Sequence, residues 1–237
     1  MNLLMHALSA TLDGMNGLLP WENEARNKSL ASQLAAQTAH RIVERSLVAG
    51  HLLTEAELSA TSGVSRTPAR EAMLQLERWG LVRLMPKKGA VIKTITLEER
   101  RDLLATRGLF ERGALQALAS TPGSLADLAA ALEQPLSAQR SAVANLDLLG
   151  FAGADFAFHA ALVQVAGNTV LTDLLESLAP RLARLTYEVC LEHPEQLHTF
   201  LDEHELLATL ARSGDATGFS QAITRHITDA HFPKKSS

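Results

Sequence analysis

Val64-Ser65-Arg66-Thr67-Pro68-Ala69-Arg70-Glu71 reads as the opening of a helix. Ser65 and Thr67 are both good N-cap residues, and Pro68 suits the first turn, where its missing N–H costs nothing. Behind them Ala69, Ala72, Met73, Leu76 and Trp79 recur at three- and four-residue steps and define one apolar face. Arg66 and Arg70 fall four apart at the helix start, off that face. Two guanidinium groups beside a helix N-terminus suit phosphates and guanine edges. Charged helix starts also occur as plain solvated surface, so the neighbours decide.

Upstream, Thr54 to Thr61 forms a short helix that opens on a capping box, Thr54 with Glu57. Ser62-Gly63 supplies the tight turn between the two helices, which is helix-turn-helix spacing. Downstream, Gly80 ends the second helix. Leu81–Met85 and Ala90–Ile95 then read as strands joined by Pro86-Lys87-Lys88-Gly89. Lys87, Lys88 and Gly89 at a hairpin tip can approach a phosphate backbone closely. The whole predicts a winged helix-turn-helix. Arg66 and Arg70 would reach base edges, and Thr67, Lys87, Lys88 and Gly89 the backbone.

The run from Ile42 through Gly50, Leu53, Leu58, Val64-Ser65-Arg66-Thr67-Pro68, Arg70-Glu71, Leu76, Gly80-Leu81-Val82 and Gly89 resembles the DNA-binding domain of GntR-family transcription regulators. The resemblance covers roughly residues 28–96. One departure stands out: family members often carry an arginine near Ala56.

Net charge is −4, which taken alone argues against nucleic acid. Its distribution argues otherwise. Residues 27–96 carry ten basic and five acidic side chains, a net of +5, leaving −9 for the rest. A basic module joined to an acidic one fits DNA binding by one part only. The single cysteine, Cys190, excludes an internal disulfide and suits a reducing cytoplasm. No apolar run suggests a membrane span, and Met1–Leu19 lacks the basic start of a signal peptide.

The predicted fold class is mainly α, with a winged helix-turn-helix followed by an all-helical bundle. Residues 1–27 have little pattern and are expected to be an N-terminal extension. A first helix is expected over 29–48, within a DNA-binding domain of 28–96. Thr96 and Glu99 make a second capping box, and there the helical domain, 97–232, begins; 233–237 is a tail. Its first helix should carry Leu103, Leu104, Leu109, Phe110, Ala114 and Leu118 as the apolar set. Further helices are expected near 124–144, 154–166, 169–192, 195–212 and 215–231. Leu146–Gly153 is expected as a connection, with bends at Pro135 and Pro180.

Asp155 and His159 are four apart, so they share a helix face. His204 and His226 lie on helices joined by the short Ser213-Gly214 turn, at distances from it that place them at similar height. One carboxylate and three imidazoles converging in a bundle would hold a divalent ion: Zn, Ni, Co, Fe or Mn. Nine histidines also make chance pairs common, so spacing alone leaves four unrelated polar residues open. His6, His40, His51, His193, His198 and His231 have no partner at useful spacing and are read as surface, as are Arg181 and Arg184.

The second half is similar to the FCD ligand-binding domain of the FadR-type branch of that family. The residues that carry the similarity are Arg107-Gly108-Leu109-Phe110-Glu111, Asp155-Phe156-Ala157-Phe158-His159, Gly167-Asn168, Glu203-His204 and Gly214-Asp215 followed by His226. The resemblance implies that Asp155, His159, His204 and His226 hold the metal. It also implies a small-molecule effector, commonly a carboxylic acid, in the positions the ion leaves open. Arg107 is a candidate carboxylate clamp, with an ion pair to Glu111 as the alternative, and Asn168 is a weaker ligand candidate better suited to a helix end. A homodimer on a palindromic double-stranded operator is expected, because two recognition helices must reach successive major-groove faces. The expectation is a repressor relieved by its effector, not an enzyme. The rivals are a metalloenzyme with an appended helix-turn-helix and a DNA-binding protein whose metal is purely structural.

Overall fold

The computed structural model describes residues 19, 21 and 29–232; the extension expected over 1–27, Leu19 and Trp21 apart, lies outside the described residues. Contacts divide the described chain between Thr96 and Leu97 into two compact units, with Ser177–Arg184 grouped with the first.

The first unit opens with helix α1, Leu30–Val43, whose N-cap Ser29 accepts a hydrogen bond from Ser32 N–H. The helix is shorter than the 29–48 expected. After the two-residue strand β1, Leu52–Leu53, helix α2 spans Glu55–Ser62. Its capping box is complete: Glu57 N–H donates to Thr54 Oγ1 at 3.1 Å, and Thr54 N–H donates to Glu57 Oε2 at 3.4 Å. Helix α3, Arg66–Arg78, follows the turn at Gly63; Ser65 is its N-cap by position but makes no capping bond with its side chain. Ala69, Ala72, Met73 and Leu76 are its buried stripe, as their spacing requires. Strands β2, Val82–Met85, and β3, Gly89–Ile92, pair antiparallel, and β1 joins on the far side to give the order β1-β3-β2.

Gly89 has a role in this sheet that its position at the wing tip conceals. It sits at φ +117, and a Cβ there would lie 2.3 Å from the Leu53 carbonyl oxygen. Only glycine lets β1 and β3 come together at that point. Gly89→Ala is therefore expected to lower the urea midpoint of the full-length protein, at a cost of about 1–3 kcal/mol.

The second unit is a bundle of six helices among the described residues: α4 Leu97–Ala119, α5 Ser124–Asn145, α6 Leu148–Val165, α7 Thr169–Glu192, α8 Leu197–Ser213 and α9 Ala216–His231. Short polar caps set the starts of three: Asp147, Asn168 and Asp215 accept from Gly150, Leu171 and Gly218 N–H. One core joins Leu115, Leu128, Leu132, Leu136, Phe158, Leu162, Leu207, Phe219 and Ile223. Pro135 and Pro180 lie inside α5 and α7, which continue through them.

Several expectations are corrected here. The connection expected over 146–153 is mostly the first turns of α6, because Asp147 caps it. Gly150 is needed inside the helix, since a Cβ would fall 2.2 Å from the Asp147 carboxylate. Leu109 is 62% exposed, because the buried stripe of α4 runs Leu103, Leu104, Arg107, Gly108, Glu111, Ala114, Leu115 and Leu118. Arg184, His40 and His231 are buried, not surface residues. Arg184 donates to the Lys93 carbonyl at 2.9 Å. Helix α6 is long and apolar enough to cross a membrane, but most of it is buried in this core.

Candidate functional site

Two places collect the residues singled out in the sequence. In the first unit, a groove of about 730 Å³ runs between α3 and the β2–β3 hairpin, lined by Arg66, Arg70, Lys87, Lys88, Gly89 and Ala56 among others. Arg66, Thr67, Arg70, Lys87 and Lys88 are all exposed. A residue the sequence reading passed over sets the spacing of this face. Glu77 Oε1 accepts from Leu84 N–H at 2.8 Å, which ties the second half of α3 to the outer edge of β2. A glutamate on an exposed helix face gives no sequence signal for that bond.

In the second unit α6, α8 and α9 bring Asp155, His159, His204 and His226 together, with one ligand atom of each within 4.8 Å of the others. All four are buried. Asp155 Oδ1 lies 3.3 Å from His204 Nε2 and 3.7 Å from His159 Nε2, and those two nitrogens are 3.2 Å apart. Such separations fit bonds of about 2.0–2.2 Å to one shared ion.

The outer side of each imidazole explains the orientation. His159 Nδ1 bonds Glu111 Oε2 at 2.7 Å, His204 Nδ1 bonds Gln139 Oε1 at 2.8 Å, and His226 Nδ1 bonds Glu203 Oε2 at 2.7 Å. Gln139 is completely buried and donates its own Nε2 to the Ala154 carbonyl, so it can only accept from His204. His204 then carries its proton on Nδ1. Glu111, paired with Arg107, engages His159 Nδ1 in the same way. With both rings neutral, their Nε2 lone pairs face each other at 3.2 Å. A shared cation would relieve that repulsion, and such outer partners are how proteins aim metal-binding imidazoles. Nothing in the sequence marks Gln139, which is one polar residue among many in α5. Gln139→Leu is expected to weaken divalent-metal affinity about 10- to 100-fold in a chelator competition.

Electrostatics agree. Burial alone would raise Asp155, but His159, His204 and the Arg107 charge beside it hold its carboxyl well below the usual range. Burial, with neighbouring charges adding to it, keeps His226 well below the ordinary imidazole value, and burial keeps His204 below it despite Asp155. Both are neutral, as ligands must be. His159 differs: burial and Arg107 lower it, yet Glu111 and Asp155 outweigh them and raise it. Burial, then the Asp229 charge, pushes Glu203 up to about 7.

Arg107 is 1% exposed. Its Nε stands 3.2 Å from Glu111 Oε1 and its guanidinium 3.7 Å from Asp155 Oδ2, yet neither Nε nor one terminal nitrogen makes a hydrogen bond. Thr186 Oγ1 donates to Asp155 Oδ2 at 3.0 Å. Asn168 is not part of this cluster: it is exposed, and its side chain caps α7.

The chain matches the family model for "Bacterial regulatory proteins, gntR family" over residues 30–92 and that for the FCD domain over residues 102–229. It is 29% identical over 206 residues to the HTH-type transcriptional repressor RspR of Escherichia coli (strain K12), covering 84% of this chain and 88% of that one. It is 25% identical over 224 residues to the gluconate operon transcriptional repressor of Bacillus subtilis (strain 168), covering 92% and 90%. Its fold is like that of a putative GntR transcriptional regulator from Rhodococcus sp. RHA1, with a TM-score of 0.73 at 20% identity over 86% of this chain and 96% of the other. A winged helix with an exposed basic face, joined in sequence to a helical FCD bundle, places this chain in the gntR family of bacterial regulatory proteins, as a DNA-binding regulator of transcription and not an enzyme.

Proposed function

We propose that the protein is a homodimeric repressor that releases its DNA when a small carboxylic acid binds beside a divalent metal. The winged domain, residues 28–96, would hold a palindromic operator through Arg66 and Arg70 at base edges and Thr67, Lys87, Lys88 and Gly89 on the backbone. The helical domain, 97–232, would dimerise and hold the ion through Asp155, His159, His204 and His226. The observation that carries the metal is that His159 and His204 are each hydrogen-bonded outward through Nδ1, which aims both Nε2 atoms, with Asp155, at one point. Zn, Ni, Co, Fe and Mn all suit this nitrogen-rich set. The ion would supply a fixed positive charge for a carboxylate. Arg107, buried with two nitrogens lacking a hydrogen bond, would clamp that carboxylate. Two relatives bear the name repressor, and one of them is named for a gluconate operon, gluconate being a carboxylic acid.

A thermal-shift series tests the reading, with small carboxylic acids added to metal-loaded and to chelated protein. An acid at 100 times its dissociation constant should stabilise by about 2.7 kcal/mol. Stabilisation of the metal-loaded form alone supports a metal-based sensor. The second reading, a purely structural ion, is favoured by the size of the adjoining cavity, about 10 Å³. It predicts that chelation lowers the midpoint while no acid raises it.

Proton release gives a separate check. His159 is held above its ordinary value while His204 and His226 are held below theirs. An ion that takes His159 Nε2 must displace any proton held there, so its affinity is expected to fall as pH drops through the raised His159 value. Calorimetry in buffers of different ionisation enthalpy reads this directly. On the DNA face, Ala56 is exposed in the groove beside Arg66 and Arg70. Ala56→Arg is expected to tighten binding and steepen the log–log salt dependence by about 0.9 for each phosphate gained.

A further inference from the structure

Helix α3 carries one exposed apolar side chain beside its two leading arginines. Arg66, Arg70 and Leu74 follow one another at four-residue steps, so they share a face over two turns. All three line the groove between α3 and the β2–β3 hairpin. Leu74 is 40% exposed, whereas Ala69, Ala72, Met73 and Leu76 are the buried stripe that packs the helix. No core position accounts for it. The groove measures about 730 Å³, and its own walls leave Leu74 uncovered. Arg66 and Arg70 on the helix and Lys87 and Lys88 on the hairpin surround that space with positive charge. The occupant this charge fits is DNA, which the gntR-family domain binds.

A lone exposed leucine is ordinary on a surface that stays in water. On this face a duplex would cover it. Leucine neither donates nor accepts a hydrogen bond. Pressed against the major-groove edge of guanine, adenine or cytosine, it would strip water from a polar group and return nothing. Thymine alone offers an apolar group there, its C5-methyl. We propose that Leu74 is a specificity-determining residue that reads the methyl group of one thymine in each operator half-site. This rests on the reading of α3 as the recognition helix, and it adds a third position to Arg66 and Arg70. Leu74 lies about 6 Å along the helix axis from Arg70, so the thymine is expected about two base pairs from the one Arg70 reads.

The test starts from duplexes selected out of a randomised pool by the full-length wild-type protein. In the tightest-binding sequence each thymine is replaced in turn by deoxyuridine, which removes the methyl group and keeps every hydrogen-bonding group. Anisotropy titrations should find one thymine in each half-site whose replacement weakens wild-type binding about fourfold, the worth of one buried methyl group. Leu74→Ala should bind the thymine and uracil duplexes equally, and Leu74→Met, which restores an apolar tip, should recover the difference. Both residues are good helix formers at an exposed position, so both variants should fold. If no thymine shows a methyl effect, the assignment is overturned. A methyl effect that persists in Leu74→Ala, with all duplexes weakened alike, also overturns it and puts Leu74 against the sugar–phosphate strand. Arg70→Ala tells the failures apart. Should it leave the preference for selected over random DNA intact, α3 is not the reading element and the recognition reading falls too; should it narrow that preference, the Leu74 assignment fails alone.

Discussion

Chelation of the divalent ion is expected to lower the thermal midpoint of the wild-type protein by roughly 8–16 °C, and His204→Ala to abolish most of that response. An ion at about 1,000 times its dissociation constant, bound only by the folded state, contributes about 4 kcal/mol. In a chain of this size each kcal/mol moves the midpoint by about 2–4 °C. His204 is the decisive position because its Nε2 stands nearest both Asp155 Oδ1 and His159 Nε2. Its loss in the chelated protein has an ordinary cost. The ring contacts with Phe158 and Phe151, at 4.9 and 6.2 Å, are removed and Gln139 Oε1 loses its donor. That cost is common to chelated and loaded forms. The difference between the two forms isolates the ligand role. A variant that kept the full wild-type difference would show that His204 does not bind the ion.

The sequence carried the two ends of this argument better than its middle. Hydrophobic spacing and cap chemistry were enough for α2, α3 and the wing, because those elements are set by local rules: Thr54 with Glu57, and Ala69, Ala72, Met73 and Leu76 on one face. Asp155 and His159 were legible as a pair since one helix turn relates them. The convergence of His204 and His226 upon them depends on how three helices pack, which spacing could suggest but family resemblance had to support. The outer partners were not legible at all. Glu111, Gln139 and Glu203 reach their imidazoles across 48, 65 and 23 residues, and no local pattern encodes that. His231 and Arg184 are buried for the same reason: tertiary packing, not local pattern, decides whether a polar side chain is solvated. Gly150 failed in the opposite sense. Two glycines suggested a break, while the Asp147 cap above Gly150 makes glycine the residue that lets the helix start there.

The largest effect on DNA binding is expected from Arg66→Ala combined with Arg70→Ala. Each is expected to cost about 1–3 kcal/mol of specific affinity, so the pair should weaken binding roughly 30-fold to 20,000-fold. Being one helix turn apart they are neighbours, and the double variant need not equal the sum. Folding should survive, because both side chains are exposed and exposed positions usually change stability within about 0.5 kcal/mol. Lys87→Ala with Lys88→Ala makes the contrast. These lysines are exposed at the hairpin tip, where only phosphates need be in reach. Their loss should weaken selected and random DNA alike and reduce the log–log salt slope by about 0.9 per lost phosphate contact. The arginine pair should instead narrow the gap between selected and random DNA. Anisotropy titrations on both DNAs at several salt concentrations separate these outcomes. If the lysine pair erased the preference while the arginine pair only flattened the salt slope, the wing would be the reading element and α3 the anchor. Glu77 would then matter more, since its bond to Leu84 N–H ties β2 of the wing to α3.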